Sequence, residues 1–176
     1  IAKAKEVTGE KNNRFFVDNL LDIKSAEEPY DAIVCVRVLI NLANLDEVKK
    51  GIENLSGQLK PGGKLILVEG YKDGFDEISK LRQQSGLVSL TPAAINFYAS
   101  LAEVEPLLEK YFTVGKTFHT GMFDLLTRVV YPLLVGADKV VEAGDFHAKT
   151  LPLTRAFNPE SLGFLGRLRG FELTKR

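Results

Sequence analysis

A chain of 176 residues can bury one substantial core, and 45% hydrophobic with 26% charged residues is the balance of an ordinary globular domain. Lys+Arg and Asp+Glu both total 23, so a net charge of zero asks for neither a nucleic-acid nor a membrane partner. The single cysteine, Cys35, excludes an internal disulfide framework and a cysteine zinc site and fits a reducing cytoplasm.

Ile1–Val7, rich in Ala and Lys, reads as the tail of a helix stopped at Gly9 rather than as a basic and apolar leader. Arg14–Val17 is a short apolar run ending in Asp18-Asn19, consistent with a buried strand. After the Glu-Glu-Pro-Tyr-Asp turn, Ala32–Val36 repeats that pattern with β-branched residues. Asn44 and Glu47 have the spacing of a capping box, and Val48, Ile52, Leu55 and Leu59 follow at helical spacing. Pro61-Gly62-Gly63 then breaks the helix and leads into a strand at Lys64–Glu69. Strand, helix and strand on short connections imply a parallel pair with a right-handed crossover.

Past Gly70, the residues Phe75, Ile78 and Leu81 mark one helix face that Gly86 can end. Leu87–Ala99 has no clear period. Leu101 to Tyr111 predicts a helix that is kinked by Pro106 or begins there. Phe112–His119 reads as a strand, Met122–Val135 as an apolar helix interrupted at Pro132, and Phe171–Lys175 as the last strand. The longest apolar stretch, Val129–Ala137, contains Pro132 and Gly136 and is too short to span a bilayer. The reading is one α/β domain with a doubly wound, mostly parallel sheet and a helical insertion near its C-terminus. The core covers 1–86, 99–120 and 168–176, and the aperiodic stretches 87–98 and 121–160 suit a substrate lid.

In an open α/β sheet, ligands sit beyond the carboxyl ends of the strands. Three such ends are visible, at Asp18-Asn19-Leu20, Cys35-Val36-Arg37 and Glu69-Gly70-Tyr71. Asp18 or Asn19, followed by Leu20, offers a polar partner and an apolar wall to an adenine, or is simply a polar turn. Arg37 faces the crevice, where it can hold a carboxylate or phosphate, or pair with Glu69. Glu69 is a candidate base with a structural alternative, and His119 at the end of another strand is its rival. Tyr71, Asn96, Tyr98 and Tyr131 are candidates for lining a substrate pocket, or core and surface side chains. Two histidines so far apart in the chain lack metal-ligand spacing, so no metal is expected. Gly57–Lys64 lacks the Lys-Ser/Thr of a phosphate loop, and neither a Tyr-x-x-x-Lys pair nor a G-x-S-x-G elbow occurs.

The segments FFVDNLLDI, YDAIVCVRVLINL and LKPGGKLILVEG together resemble class I (Rossmann-like) S-adenosylmethionine-dependent methyltransferases, entered after their second strand. The resemblance covers roughly residues 1–70 well and the closing strands loosely. It implies S-adenosyl-L-methionine as cofactor, held by Asp18 or Asn19, Leu20, Cys35, Val36 and Arg37. It also implies Glu69 near the transfer site and a small-molecule acceptor. RVLINL, DGFDEISKLRQQSGL and Asn96-Phe97-Tyr98 resemble more narrowly a subgroup acting near polysaccharide and natural-product pathways. The family's first strand, glycine-rich loop and ribose-binding acid would all precede Ile1, so the chain alone is expected to bind cofactor weakly. Its sheet is expected to leave apolar strand faces without neighbours. A non-catalytic methyltransferase-like binding domain and a nicotinamide-dependent oxidoreductase are the alternatives. The acceptor and the oligomeric state stay open.

Overall fold

The computed structural model describes residues 14–25 and 28–176, so the expected helix tail at Ile1–Val7 lies outside the described residues. Four strands form one sheet: β1 (Tyr30–Val36), β2 (Leu59–Gly70), β3 (Phe112–His119) and β4 (Leu168–Lys175). Their order is β1-β2-β4-β3. β1 and β2 pair in parallel, with Cys35 opposite Leu67, while β4 is antiparallel to both β2 and β3. Three strands therefore run one way and the last returns between two of them.

The crossover from β1 to β2 is α1 (Leu45–Gly57). Asn44 accepts the Glu47 amide at 3.0 Å, and the Glu47 carboxylate returns to the Ala43 amide at 2.8 Å. That satisfies two donors at the helix start. Val48, Ile52 and Leu55 turn inward, with Ile52 fully buried. A second helix, α2 (Lys72–Gln84), follows β2, and α3 (Leu101–Tyr111) leads into β3. α1 and α3 share a core with Leu65, Leu67, Phe171 and Leu173 from one face of the sheet. Each such aliphatic side chain removed from water stabilises by about 2 kcal/mol. On the opposite face Val34 and Val36 stay 68% and 51% exposed, and the Phe118 ring lies across Gly170. Among the described residues, Val34 and Val36 thus leave an apolar stretch of that strand face uncovered.

Between β3 and β4 the chain makes α4 (Gly121–Asp124), a π-helical segment (Leu125–Val130), α5 (Tyr131–Val135) and α6 (Asp145–Ala156). With α2, this insertion forms a second, smaller core around Ile78, Val129 and Leu165. No helix among the described residues is long and apolar enough to cross a membrane.

Four expectations need correction. Arg14–Val17 is not a strand: it joins no sheet among the described residues, and Val17 is 87% exposed. Pro61-Gly62-Gly63 lies inside β2, because Leu59 already pairs with Tyr30. The register slips between Tyr30 and Ala32 to absorb the extra residues, with Gly62 at φ +75°. The helix does not begin at Pro106 but runs through it. Ser100 caps it, accepting the Glu103 amide while the Glu103 carboxylate accepts the Ser100 amide. The irregularity near Pro132 precedes the proline, since Pro132 cannot donate to the Arg128 carbonyl one turn back. The Arg82 guanidinium donates to that carbonyl in its place.

Candidate functional site

The carboxyl ends of β1 and β2 lie side by side, since Val36 is the register partner of Val68. β1 is followed by Arg37, whose amide donates to the Val68 carbonyl at 2.8 Å. Arg37 itself has φ +54°, a left-handed conformation that costs a non-glycine residue about 1–2 kcal/mol. Asn41 donates through Nδ2 to the Arg37 carbonyl at 2.8 Å and holds the bend in place. The strain leaves the Arg37 side chain exposed at the strand end.

Glu69, at the end of β2, is 1% exposed. Its Oε1 accepts the amides of Val38 at 2.7 Å and Leu39 at 2.9 Å, and Oε2 accepts that of Ile40 at 3.4 Å. The carboxylate thus closes the one-turn helix Leu39–Asn41 that follows β1. Burial pushes the Glu69 carboxyl above its ordinary range, against the opposing pull of those three amides and of Arg37. Burial, reinforced by the Glu69 charge, also pushes the Cys35 thiol up to about 12, so it stays protonated and donates to Glu69 Oε1 at 3.9 Å. Val36 sits on the uncovered face of the sheet.

The turn after the first apolar run docks beside this strand end. Leu20 meets Leu39 and Leu42 around Gly51, and the Leu20 carbonyl accepts from Asn54 at 2.7 Å. Asp18 organises its own loop. Its oxygens accept the amides of Asn19 at 2.8 Å, Lys24 at 3.0 Å and Ser25 at 2.7 Å. Those bonds, Ser25 first, hold its carboxyl far below the usual range. Asn19 is exposed, and its Oδ1 accepts the Leu21 amide at 2.9 Å.

The segment between α2 and α3 folds over the strand ends. The Phe97 amide donates to the Ile40 carbonyl at 2.8 Å, and Tyr98 lies so close to Gly70 that a Cβ there would sit 2.8 Å from the ring. Asn96 donates to the Tyr98 hydroxyl at 3.2 Å, and Tyr98 packs on Phe75. Glycine is needed at position 70 because the aromatic flap closes onto it. A water-sized cavity of about 10 Å³ remains beneath, walled by Glu69, Tyr71, Phe97 and neighbouring aliphatic residues. Tyr71 is 2% exposed, packs edge-on against Phe171, and its hydroxyl is buried without a hydrogen-bond partner.

His119 ends β3 in a row with Arg169 and Glu69, since Arg169 is the register partner of both. Its ring is buried. Nδ1 accepts the Gly121 amide at 3.1 Å, which leaves Nε2 as the donor toward Glu160 at 3.4 Å. Asn158 donates to the His119 carbonyl at 2.7 Å and accepts the Met122 amide at 3.1 Å. Tyr131 lies in the insertion, stacked on Phe146 with ring centroids 4.3 Å apart, and not against Tyr98.

The structure therefore brings together Leu20, Arg37, Glu69 and the Asn96–Tyr98 flap, with Asn19 at the margin. It places His119 and Tyr131 in the insertion's own framework. Sequence reasoning did not single out Asn158 or Asp124. Asp124 is buried and takes the Arg167 Nε at 3.0 Å, the Arg167 amide at 2.9 Å and the Thr120 hydroxyl. Its one sequence signal was the Thr120–Asp124 spacing at a helix start. No group of three or more His, Cys, Asp or Glu among the described residues could hold a metal ion.

No protein family's sequence profile matches this chain, and no curated protein matches it. Solved structures do match in fold. Magnesium protoporphyrin IX methyltransferase from Synechocystis PCC 6803 with bound SAH shares 16% identity, with a TM-score of 0.55 over 99% of this chain and 57% of that one. A chain from the Haloferax volcanii Trm112 methyltransferase-activator complex shares 11% identity, with a TM-score of 0.58 over 98% and 65%. The [4+2]-cyclase SpnF shares 14%, with a TM-score of 0.51 over 99% and 60%. The chain has the Rossmann-like fold of class I S-adenosylmethionine-dependent methyltransferases, and it spans less than two thirds of each of these neighbours.

Proposed function

We propose that this chain is part of an S-adenosylmethionine-dependent methyltransferase that acts on a hydroxyl or amine of a small molecule, such as a sugar or natural-product intermediate. One observation carries the reading: a strained cationic strand end, Arg37, stands beside the Glu69-anchored turn under an aromatic flap, on a fold shared with methyltransferases. The residues present fit one wall of the cofactor's site. Asn19 offers an acceptor and a donor in one plane, as the edge of adenine requires, and Leu20 supplies an apolar contact. Asp18 stays bound to its own loop. Arg37 suits the carboxylate of the cofactor's methionine part, and Val36 and Cys35 would be met through their backbone.

The bound cofactor supplies an activated methyl group on sulfur, and the chain's own residues orient and shelter it. Glu69 already accepts three amides and His119 already has a partner on each ring nitrogen. Both are read as positioning residues, so rate comes from alignment and water exclusion more than from a base. Asn96 and Tyr98 then face the acceptor, and Tyr131 belongs to the lid's framework. The lone buried thiol supports a cytoplasmic setting. A nicotinamide oxidoreductase is disfavoured by antiparallel β4, which interrupts the parallel strand order usual for that class. A second reading, a different reaction on the same cofactor fold, is favoured by the match to a cyclase.

The test is calorimetric titration of S-adenosylhomocysteine into the full-length protein, with Asn19→Ala and Arg37→Ala beside it. Weakening of about tenfold in each variant is expected. No binding to the full-length protein would sink the proposal. Labelled methyl passing into a small-molecule fraction separates transfer from the cyclase-like reading.

A further inference from the structure

Outside the strand ends, the lid holds a polar hollow of about 260 Å³ between α2 and the insertion, lined by Arg82, Thr127, Arg128, Pro132 and Glu142 among others. Two guanidinium groups meet there. Arg82 donates through Nε to the Val88 carbonyl at 2.8 Å and through a terminal nitrogen to the Arg128 carbonyl that Pro132 leaves free. Both partners are neutral, and no carboxylate among the described residues pairs with Arg82. Arg128 pairs with Glu142 at 2.5 Å, and its Nε is buried without a partner. His147, nearly buried against Phe123 and Tyr131, points Nε2 toward the same Glu142 at 3.8 Å, and neither ring nitrogen has a hydrogen bond. One carboxylate, itself 62% exposed, thus serves Arg128 and His147, and none serves Arg82 beside them. Partial burial and the Arg128 charge both push Arg82 below its ordinary range, the signature of like charges crowded together without enough counter-charge.

We propose that this hollow binds the anionic group, phosphate or carboxylate, of a small molecule, gripped by Arg82 and Arg128. Planar guanidinium forks match the paired oxygens of both groups. The hollow has room for such a group, and the partly buried setting weakens the competition from water. Glu142 acts as an internal stand-in that the ligand displaces or joins. The proposal is independent of the methyl-transfer reading, because the pocket is built from α2, Leu90 and the insertion without any residue of the cofactor wall.

The experiment is an NMR titration of the folded protein with inorganic phosphate and, separately, acetate, at ionic strength held constant with chloride. Backbone amides of Thr127, Arg128 and Glu142 report. Saturable shifts at these amides are expected. Arg128→Met should weaken binding by about tenfold, Glu142→Gln should tighten it by about threefold, and Arg155→Met on exposed α6 should change nothing. Because Arg82→Met also uncovers a backbone carbonyl, Arg128→Lys serves as the gentler second variant. It keeps the charge but loses the fork, and should still bind more weakly. Stronger binding of phosphate than of acetate assigns a phosphorylated ligand, and the reverse a carboxylate. Shifts that do not saturate, or that are the same in Arg128→Met and Glu142→Gln as in the natural protein, overturn the proposal.

Discussion

Replacing Glu69 by alanine isolates the device on which the strand-end geometry depends. The carboxylate holds three backbone amides, and two of them belong to the buried residues Leu39 and Ile40. A buried donor left unpaired costs about 1–3 kcal/mol, so two of them imply a loss of roughly 2–6 kcal/mol. At this chain length each kcal/mol moves the melting temperature by about 2–4 °C, which predicts a drop of roughly 5–20 °C by calorimetry. Glu69→Gln keeps the shape and one acceptor oxygen, and should lose far less. The pH dependence supplies a second readout. Burial raises the folded-state pKa above the ordinary value of 4.5, so in the window just above 4.5 the folded chain holds a proton that the unfolded chain has lost. The unfolded state binds fewer protons there, and stability falls as pH rises through that window up to the folded pKa. Glu69→Gln lacks this fall. The reasoning fails if Glu69→Ala melts with the natural protein, if Glu69→Gln loses as much as Glu69→Ala, or if the natural protein gains on Glu69→Gln as pH rises from 4.5.

Three further outcomes follow from local geometry. Gly74→Ala would place a Cβ 1.9 Å from the Gly166 carbonyl oxygen, so α2 must shift against the loop before β4, at a cost of about 1–3 kcal/mol seen in chemical denaturation. Ser100→Ala removes the cap of α3 and should cost about 1 kcal/mol, read as a small fall in melting temperature; an unchanged value would mean that water replaces the cap. Arg37→Gly relieves a left-handed backbone and should stabilise the fold by up to about 1 kcal/mol while weakening S-adenosylhomocysteine binding about tenfold, a trade detectable by pairing calorimetry of unfolding with ligand titration.

The elements with a strong period were legible in the chain. Phe112–His119 ends where it was read to end, and Asn44 caps α1 as its spacing to Glu47 suggested. Local chemistry misled where a distant partner decided. Leu59 has helical spacing but pairs with Tyr30, which draws Pro61-Gly62-Gly63 into the strand. Phe15-Phe16-Val17 has strand composition, but no neighbour among the described residues offers it a ladder. The start of α3 is set by the Ser100–Glu103 capping box, five residues before Pro106. At the site, Arg37 was recognisable as a strand-end cation, but its left-handed backbone was not. The duty of Glu69 was hidden because its three amides lie about thirty residues earlier. The pairing of Arg82 with the carbonyl freed by Pro132 joins two helices that no periodicity connects.

Because β4 runs backwards, the two ends of the insertion leave and re-enter the sheet as neighbours: His119 faces Arg169 across a single ladder rung. Residues 120–167 are thus a closed excursion whose stem stays the same whatever its contents. The entropy of closing such an excursion rises only slowly with its length. The arrangement behaves like a socket. The insertion can be exchanged for a longer, shorter or differently charged one without re-registering any strand.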